Sequence, residues 1–321
     1  MNVLISSAGR RVSLLRSFKK EVKLLKLPSK VFAIDANPQY SSACHVADKY
    51  FKVERLNHPD YLNNLLSICK ENNVGLIIPT IDTELLLYAQ NSDLFSSHGI
   101  DISISDISLI EKCRDKRLTH DLFTQLGIDI AASYKKENPV FPLFIKPYDG
   151  SCSVDTFKIE HQGMLTDYHF SNEKLMFLEY LDQKEHQEFT IDMYYDRSST
   201  LKCIVPRERI EVRSGEVNKG ITRKNFLTKY LFDRMNKLEG AKGCITLQVF
   251  VNKKTNRVIG IEVNPRFGGG YPLTYASGAN YTQWVLKEYF MSEPIEFYDQ
   301  WEDNLLMLRY DDEILVHVSG S

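Results

Sequence analysis

Two apolar segments near residue 250 carry oxygen-bearing side chains at the spacing expected for β-strands. Gln248 lies in the first segment (245–251), and Glu262 and Asn264 lie in the second (257–264), with a polar turn between them. This alternation predicts a hairpin of two antiparallel strands. Carboxylate and amide oxygens suit a hard cation such as Mg²⁺ or Mn²⁺, and the histidine and thiolate ligands typical of zinc are missing here. The hairpin is therefore a candidate metal site.

The apolar residues of the hairpin predict its register. If Val251 pairs with Ile259, then Val249 faces Ile261, Leu247 faces Val263, and all six apolar side chains share one buried face. The same register places Gln248 opposite Glu262, with Asn264 two residues further on the same face, at Cβ separations of roughly 5–8 Å. Three oxygen-bearing side chains then converge on one spot.

The alternative interpretation of this polar face is a solvent-exposed hairpin surface. The residues that follow favour a site, because Pro265 and Arg266 lead into the glycine run Gly268–Gly270. This turn brings a cation and bare backbone beside the predicted ligands. Arg266 is thus a candidate catalytic residue.

Further cations lie where they could neutralise a phosphate or carboxylate. Lys146 ends an apolar strand, which would place a compact charge in a cleft. The stretch 206–219 carries Arg207, Arg209, Arg213 and Lys219 among acidic residues. Arg213 and Lys219 are the preferred catalytic candidates because they lie nearer a predicted loop, while a solvated charged strand is the alternative.

Composition narrows the class of protein. The chain has 321 residues, with 40 basic and 42 acidic side chains, a net charge of -2 and 43% hydrophobic residues. The near-zero charge provides no field for binding nucleic acid or an anionic membrane. Six dispersed cysteines without zinc spacing, and a start without an export segment, are typical of a cytoplasmic protein.

The first hundred residues alternate between short apolar strands and helical patterns. Strands are expected at 3–5, 31–34 and 75–78, with helices at 12–22, 61–70 and 84–90, which predicts a parallel, doubly wound sheet. Ligands bind at the carboxyl ends of such strands. Asp35, Asp82 and Ser6 lie at these ends, and their alternative role is to cap turns. A dinucleotide-binding glycine fingerprint is absent.

The second half of the chain has a different character. A helical pattern runs over 107–126, and from residue 142 onward strands prevail, at 143–146, 157–160, 175–180, 189–194, 201–205, 245–251 and 257–263. This indicates an antiparallel α+β half and a boundary between residues 105 and 130. The length of the chain favours two or three domains with clefts between them.

Five motifs together resemble the ATP-grasp superfamily. They are Cys113–Lys116, Phe144–Pro147, Leu178–Leu181, Glu188–Asp192 and the hairpin that ends in Ile261–Arg266. The glutamine at 248 looks similar to the first ATP site of the carbamoyl phosphate synthase large subunit. The resemblance covers essentially the whole chain, although the chain is too short to be an entire synthase of that kind.

The resemblance implies an ATP-grasp architecture in three parts. A Rossmann-like pre-ATP-grasp domain would span residues 1–105, a linker helix and lid subdomain 106–181, and an antiparallel subdomain with the metal site 182–321. It also implies that ATP and two Mg²⁺ or Mn²⁺ ions bind. Lys116 and Lys146 would bind the phosphates, the backbone of Glu179 and Leu181 the adenine edge, and Glu188 the ribose.

The resemblance further implies that the loop 149–155 contacts the phosphates through Gly150, Ser151 and Ser153. Such loops are rich in glycine so that backbone N–H groups can approach phosphate oxygens. This chain instead has Cys152 and Asp155 where the family often has glycine. Asp155 would repel phosphate if its side chain pointed inward.

The resemblance leads to a functional hypothesis: an ATP-dependent carboxylate–amine ligase that works through an acyl phosphate. Its partners would be a small-molecule carboxylate and a nucleophile, an amine in the first instance. Binding to nucleic acid or to a membrane is not expected, and a homodimer is left open. One alternative is a kinase of a small, carbamate-like acid. Another is a non-catalytic ATP-binding regulatory module, which the altered loop would favour.

Overall fold

The computed structural model describes residues 1–150, 154–213 and 215–317 of the chain. Its strands form three sheets, of five, four and seven strands. The mixture of one parallel sheet with two largely antiparallel sheets confirms the predicted fold class. Within the described residues, no helix has the length and apolar character needed to span a bilayer.

The first sheet is parallel and has the strand order β3-β2-β1-β4-β5. Its strands are Asn2–Ile5 (β1), Val31–Asp35 (β2), Lys49–Lys52 (β3), Val74–Ile78 (β4) and Asp101–Ile102 (β5). The helices along this part of the chain are Val12–Leu24 (α1), Ser42–Val46 (α2), Tyr61–Glu71 (α3), Asp82–Gln90 (α4) and Ser92–Ser96 (α5). Strands β1, β2 and β4 are as predicted, whereas the edge strands β3 and β5 carry too few apolar residues to be recognised.

The helical pattern at 107–126 forms two helices instead of one. They are Ile107–Arg114 (α6) and Lys116–Gln125 (α7). Asp115 separates them with an extended backbone, and its carboxylate accepts the backbone N–H of Arg117 as the N-cap of α7. The break places Lys116 in the first turn of α7, where its side chain is buried.

The four-stranded sheet has the order β7-β10-β8-β9. Its strands are Ser133–Tyr134 (β7), Leu143–Pro147 (β8), Phe157–Ile159 (β9) and Leu175–Glu179 (β10), and a short helix, Asp167–Ser171 (α8), precedes β10. The preceding strand, Asp129–Ile130 (β6), pairs with the seven-stranded sheet. The domain boundaries predicted from the sequence stay a prediction.

The seven-stranded sheet has the order β16-β13-β12-β11-β14-β15-β6. Its remaining strands are His186–Tyr195 (β11), Leu201–Arg213 (β12), Glu216–Thr222 (β13), Gly243–Asn252 (β14), Val258–Asn264 (β15) and Leu306–Leu308 (β16). Helices Phe226–Met235 (α9), Tyr271–Ala276 (α10) and Tyr281–Leu286 (α11), and a π-helical turn at Lys287–Met291, were not expected from the sequence.

The hairpin of β14 and β15 has the predicted register at one end only. Leu247 pairs with Val263 and Gln248 with Glu262, as predicted. The predicted pairs of Val249 with Ile261 and of Val251 with Ile259 are wrong, because a bulge shifts the register after Gln248.

The bulge moves two isoleucines to the other face of the sheet. Val249 pairs with Gly260, and Ile259 pairs with Phe250. Ile259 and Ile261 consequently pack with Ala131 and Leu178, apart from the core cluster that contains Val249. The six apolar side chains therefore divide between two faces instead of sharing one.

Gly260 makes room for a helix side chain beneath the bulge. A Cβ atom at this position would lie 2.5–2.7 Å from ring atoms of Phe123 in α7. Because Phe123 is fully buried, its ring has little room to retreat.

We expect Gly260→Ala to destabilise the fold by about 1–3 kcal/mol through this overlap. Urea denaturation measures the change. Gly163→Ala is the control, because its Cβ would meet only the exposed His161 ring, at 3.3–3.4 Å, and should be nearly neutral. Equal stability of the two variants would show that the Phe123 contact does not restrict position 260.

Candidate active site

A cleft of about 770 Å³ is lined by residues of the two largely antiparallel sheets, of the turn after β4, and of helices α4, α6 and α7. Its floor is the face of the seven-stranded sheet that is turned away from the apolar core. The opposite face packs Phe189, Ile191, Leu247 and Val249 into that core. Because side chains alternate along a strand, the polar residues between these apolar ones all face the cleft.

Cross-strand pairing arranges the polar residues of the floor in rows. Arg207 pairs with Thr190, Thr190 with Gln248, and Gln248 with Glu262, which gives one row across four strands. Asp192, Thr246 and Asn264 form the next row. The sheet thus brings the three predicted metal ligands together.

Hydrogen bonds orient the oxygen donors of these rows. The amide of Gln248 donates to Glu188 at 2.5 Å, which leaves its carbonyl oxygen as an acceptor. The amide of Asn264 donates to Glu262 at 3.0 Å. Burial raises the pKa of Glu188, while the guanidinium of Arg209, at 3.1 Å, lowers it.

The donor set fits a hard divalent cation. One carboxylate and two amide oxygens offer the oxygen ligands that Mg²⁺ prefers, and Mg²⁺ takes its remaining ligands from water and phosphate. The described residues contain no group of three His, Cys, Asp or Glu side chains that could hold a metal. The ion would therefore depend on a ligand's phosphates, and the roles of Gln248, Glu262 and Asn264 stay predictions.

Two buried lysines face this floor. Lys116 is 9% exposed and donates to the carbonyl oxygen of Gly150, and Lys146 is 7% exposed. The pKa of Lys146 is lowered to about 8, chiefly by burial; Glu262 opposes this shift and the charge of Lys116 contributes to it. Among the described residues, the Lys146 ammonium has no hydrogen-bond or ion-pair partner. An unpaired buried cation is costly, and an anionic ligand would relieve that cost.

An apolar pocket lies beside the lysines. Its walls are the buried Ala131, Leu178 and Ile259 with the partly buried Met176, Leu181, Phe250 and Ile261. Glu179 and Leu181 line the cleft as well. The backbone N–H of Glu179 already donates to the carbonyl of Ala132 at 2.8 Å, so it is not free for another acceptor.

The predicted phosphate loop is described only in part. Gly150 lines the cleft, whereas Ser151, Cys152 and Ser153 lie outside the described residues. Asp155 accepts a hydrogen bond from the Tyr168 hydroxyl at 2.5 Å and does not line the cleft. Its carboxylate is therefore directed away from the phosphate position, which removes the repulsion considered from the sequence.

Arg266 lies at the opposite end of the floor from the apolar pocket. Its guanidinium donates to Asp82, the first residue of α4, at 2.5 Å and to Asn264 at 3.4 Å. Asp82 raises the pKa of Arg266 against the effect of burial. Arg11 also lines this end, 3.7 Å from Glu216. Asp82 is thus a site residue, whereas Asp35 caps the turn after β2 by accepting the N–H groups of Gly9 and Asn37.

The structure does not bring Arg213 and Lys219 to the cleft. Arg213 is 68% exposed beside Asp311, and Lys219 is 44% exposed beside Glu211. Arg207 and Arg209, which the sequence analysis ranked lower, line the cleft and are buried. The proximity of Arg213 and Lys219 to a loop was therefore a misleading criterion.

Register shifts explain this difference. Residues 207, 209, 211 and 213 would share one face of a regular strand, but the pairing of β12 with β13 shifts on both sides of Glu211. Val212 faces the cleft in consequence, and Arg213 faces solvent. The alternation of side chains along a strand is a signal that could have identified Arg207 and Arg209, because they lie two and four residues after the buried Val205, on the same face.

Sequence comparisons match two parts of the chain. A family model described as PylC-like, N-terminal domain, matches residues 3–103. A model described as ATP-grasp in the biosynthetic pathway with Ter operon matches residues 171–305. Among curated proteins, no sequence matches the chain significantly.

Solved structures share the fold over most of the chain. One is the biotin carboxylase domain of Hydrogenobacter thermophilus 2-oxoglutarate carboxylase with MgADP and bicarbonate (14% identity, TM-score 0.69, covering 95% of this chain and 73% of that one). Another is N5-carboxyaminoimidazole synthetase from Staphylococcus aureus with ADP (15% identity, TM-score 0.70, covering 93% of this chain and 80% of that one). A third is L-amino acid ligase from Bacillus licheniformis (16% identity, TM-score 0.67, covering 92% of this chain and 75% of that one).

One similar structure belongs to a much longer protein, of which this chain covers only a part. The chain spans 27% of the pyruvate carboxylase chain from Rhizobium etli, at 14% identity and a TM-score of 0.66 over 87% of this chain. At such identities the likeness establishes the fold. The predicted ATP-grasp architecture is confirmed, and the closer resemblance to carbamoyl phosphate synthase stays a prediction.

The pKa of Lys146 predicts a pH dependence for nucleotide binding. Phosphate attracts the ammonium form, which is populated below about pH 8 in the free protein. We expect the affinity for MgADP to fall about tenfold from pH 7 to pH 9, because binding must then take up a proton. Calorimetric titration at several pH values measures it.

Lys146→Arg separates this effect from other titrations, because arginine keeps its charge at pH 9. This variant should lose most of the pH dependence. Lys174→Arg, on an exposed lysine paired with Asp149, should retain it. The same pH dependence in Lys146→Arg as in the wild type would contradict the assignment.

Proposed function

Because the chain is an ATP-grasp protein, we propose that it is an ATP-dependent ligase that joins a small carboxylic acid to an amine. ATP would first phosphorylate the acid, and the amine would then displace phosphate from the acyl phosphate. The names of the fold neighbours support this class, since they include a carboxylase domain, a synthetase and an L-amino acid ligase.

One observation carries the proposal: the buried Lys146 ammonium lies without a partner among the described residues, beside Glu262 and near Lys116. A carboxylate and two amide oxygens face the same space. A protein that did not bind an anion here would bury this charge with only the partial compensation that Glu262 supplies. A magnesium–triphosphate matches both groups, because its phosphates would pair with the lysines and its metal ion with the oxygen donors.

The apolar pocket next to the lysines suits an adenine ring. Leu178, Ile259 and Ile261 offer apolar contacts from two sheets, so a base would be enclosed between them. Glu188 lies between this pocket and the metal ligands, and we propose that it binds the ribose hydroxyls. Its present partners, Gln248 and Arg209, would hold its carboxylate in place.

The transfer step would depend on positioning and charge neutralisation. Lys116 and Lys146 would neutralise the β- and γ-phosphates, and Gln248, Glu262 and Asn264 would hold magnesium, which supplies further positive charge when bound. A carboxylate oxygen of the acid attacks the γ-phosphorus, and the bond to the β-phosphate oxygen breaks, so ADP leaves. The prediction of two ions stays a prediction.

Arg266 is the best-placed side chain for the acid. It lies next to Asn264 and is fixed by Asp82. The glycines that follow pack against buried groups, since a Cβ on Gly268 would lie 2.8 Å from Thr246 and one on Gly270 would overlap Arg207. The chain can therefore pass close to the metal ligands and present bare backbone to the acid.

We expect Glu262→Gln to lower turnover by roughly 100-fold or more, because the metal loses its charged ligand. The assay measures release of ADP that requires Mg²⁺, a carboxylic acid and an amine, across a panel of acids and amines. Glu211→Gln, on an exposed carboxylate paired with Lys219, is the control and should stay active. Full activity of Glu262→Gln would reject the proposed site.

We expect Arg266→Met to raise the KM for the acid by roughly 10- to 100-fold, because a charge-assisted hydrogen bond is lost. The KM for ATP should change little. Arg213→Met removes an exposed arginine and should leave both constants unchanged. A raised KM for the acid in Arg213→Met, with an unchanged KM in Arg266→Met, would contradict the role of Arg266. Thermal unfolding checks that Arg266→Met still folds, since Asp82 loses its partner.

A further inference from the structure

A second pocket, of about 480 Å³, lies at the carboxyl edge of the parallel sheet. Residues after β1, β2, β3 and β4 line it. In open parallel sheets this edge is where ligands bind, at the point where the strand order reverses. The reversal here is between β1 and β4, and Ser7 and Ile81, which line the pocket, follow these two strands. The volume lies in the range of small-molecule sites.

The walls of this pocket are mainly apolar. Val53, Leu56, Tyr61 and Ile81 contribute to them, and Val53 and Tyr61 are themselves buried. Tyr61 is held by a hydrogen bond of 2.6 Å between its hydroxyl and that of Tyr88. An apolar ligand group would therefore meet a preformed surface.

Charged and amide side chains surround the opening. Glu54, Arg55 and Asn57 are exposed there, and Asp35 contributes a carboxylate that its turn holds in place. The opening thus offers both hydrogen-bond donors and acceptors. A ligand with an apolar body and a polar or charged end matches this distribution.

The second pocket adjoins the cleft of the candidate active site at a ridge formed by Ser7, Thr80 and Ile81. Ile81 lines both spaces, and Ser7 and Thr80 lie on either side of it. The hydroxyl of Thr80 donates to the carbonyl oxygens of Ser6 and Ser7, both at 2.9 Å.

Glu84 fixes the ridge from below. One of its carboxylate oxygens accepts the N–H groups of Thr80 and Ile81, at 2.6 and 3.1 Å, and the other accepts the hydroxyls of Ser6 and Ser7, both at 2.7 Å. Glu84 is completely buried. A rigid ridge lets one molecule cross from the cleft into the pocket along a fixed surface.

We propose that this second pocket binds the distal part of one substrate, an acid or amine with a bulky apolar body and a polar or charged end. The inference rests on the proposed ligase function for the identity of the reacting end. Compact reactants such as bicarbonate and ammonia would leave the pocket empty. The protein is thus a ligase for an extended substrate whose reactive group lies near Arg266 and Asp82, beyond the ridge.

The test is direct binding, so that it does not depend on turnover. Ligand-detected NMR in the presence of MgADP compares phenylalanine and leucine with glycine as probes. We expect the two bulky amino acids to bind at least tenfold more tightly than glycine, because only they reach the apolar walls. Equal affinity of all three probes, or binding of none, overturns the inference.

Two variants locate the binding. Ala36→Trp places a large side chain at the wall of the pocket and should abolish the preference for bulky probes, whereas Ala276→Trp, on an exposed alanine outside both spaces, should preserve it. Unchanged binding in Ala36→Trp places the probes elsewhere and overturns the inference.

Turnover then separates this inference from the proposed function. Ala36→Trp should lower kcat/KM for a bulky substrate at least tenfold and leave the KM for ATP unchanged. Loss of probe binding with full turnover would show a pocket separate from the reaction and would contradict the substrate assignment. Absence of ADP release in the wild type, with probe binding that Ala36→Trp abolishes, would instead reject the ligase function and keep the pocket.

Discussion

The arrangement of the cleft depends on the cost of burying positive charge. Burial lowers the pKa of both Lys116 and Lys146, and the attraction of Glu262 opposes that effect without cancelling it. Such a pair is stable only because the rest of the fold supplies its free energy. Binding of a polyanion is the function that explains why these two charges are buried despite the unfavourable free energy.

The fold positions these charges by two simple means. The seven-stranded sheet separates its faces by alternation, so that Leu247 and Val249 enter the core while Gln248 faces the cleft. The bulge in β15 then breaks the alternation and turns Ile259 and Ile261 toward the apolar pocket. A regular hairpin would supply either the metal ligands or the pocket wall, whereas the bulged hairpin supplies both.

The sequence predicts those features that follow from local periodicity. The pairing of Gln248 with Glu262 and the burial of Lys146 are of this kind, since a single strand pattern determines each. The bulge at Ile261, the shifts near Glu211 and the break at Asp115 change the face of every residue beyond them, and no alternation pattern reveals them. Long-range partners such as Asp82 and Arg266, 184 residues apart, require the packing of α4 against the turn that follows β15.

The proposed function requires that Gln248, Glu262 and Asn264 together hold a divalent ion when ATP is bound, with its phosphates against the two lysines. The most direct measurement is a crystal structure of the protein with Mg²⁺ and a non-hydrolysable ATP analogue. We expect a magnesium ion about 2.0–2.1 Å from oxygens of these side chains, with the phosphates against Lys116 and Lys146. An analogue bound elsewhere, or bound here with the ion held by none of the three residues, would contradict it.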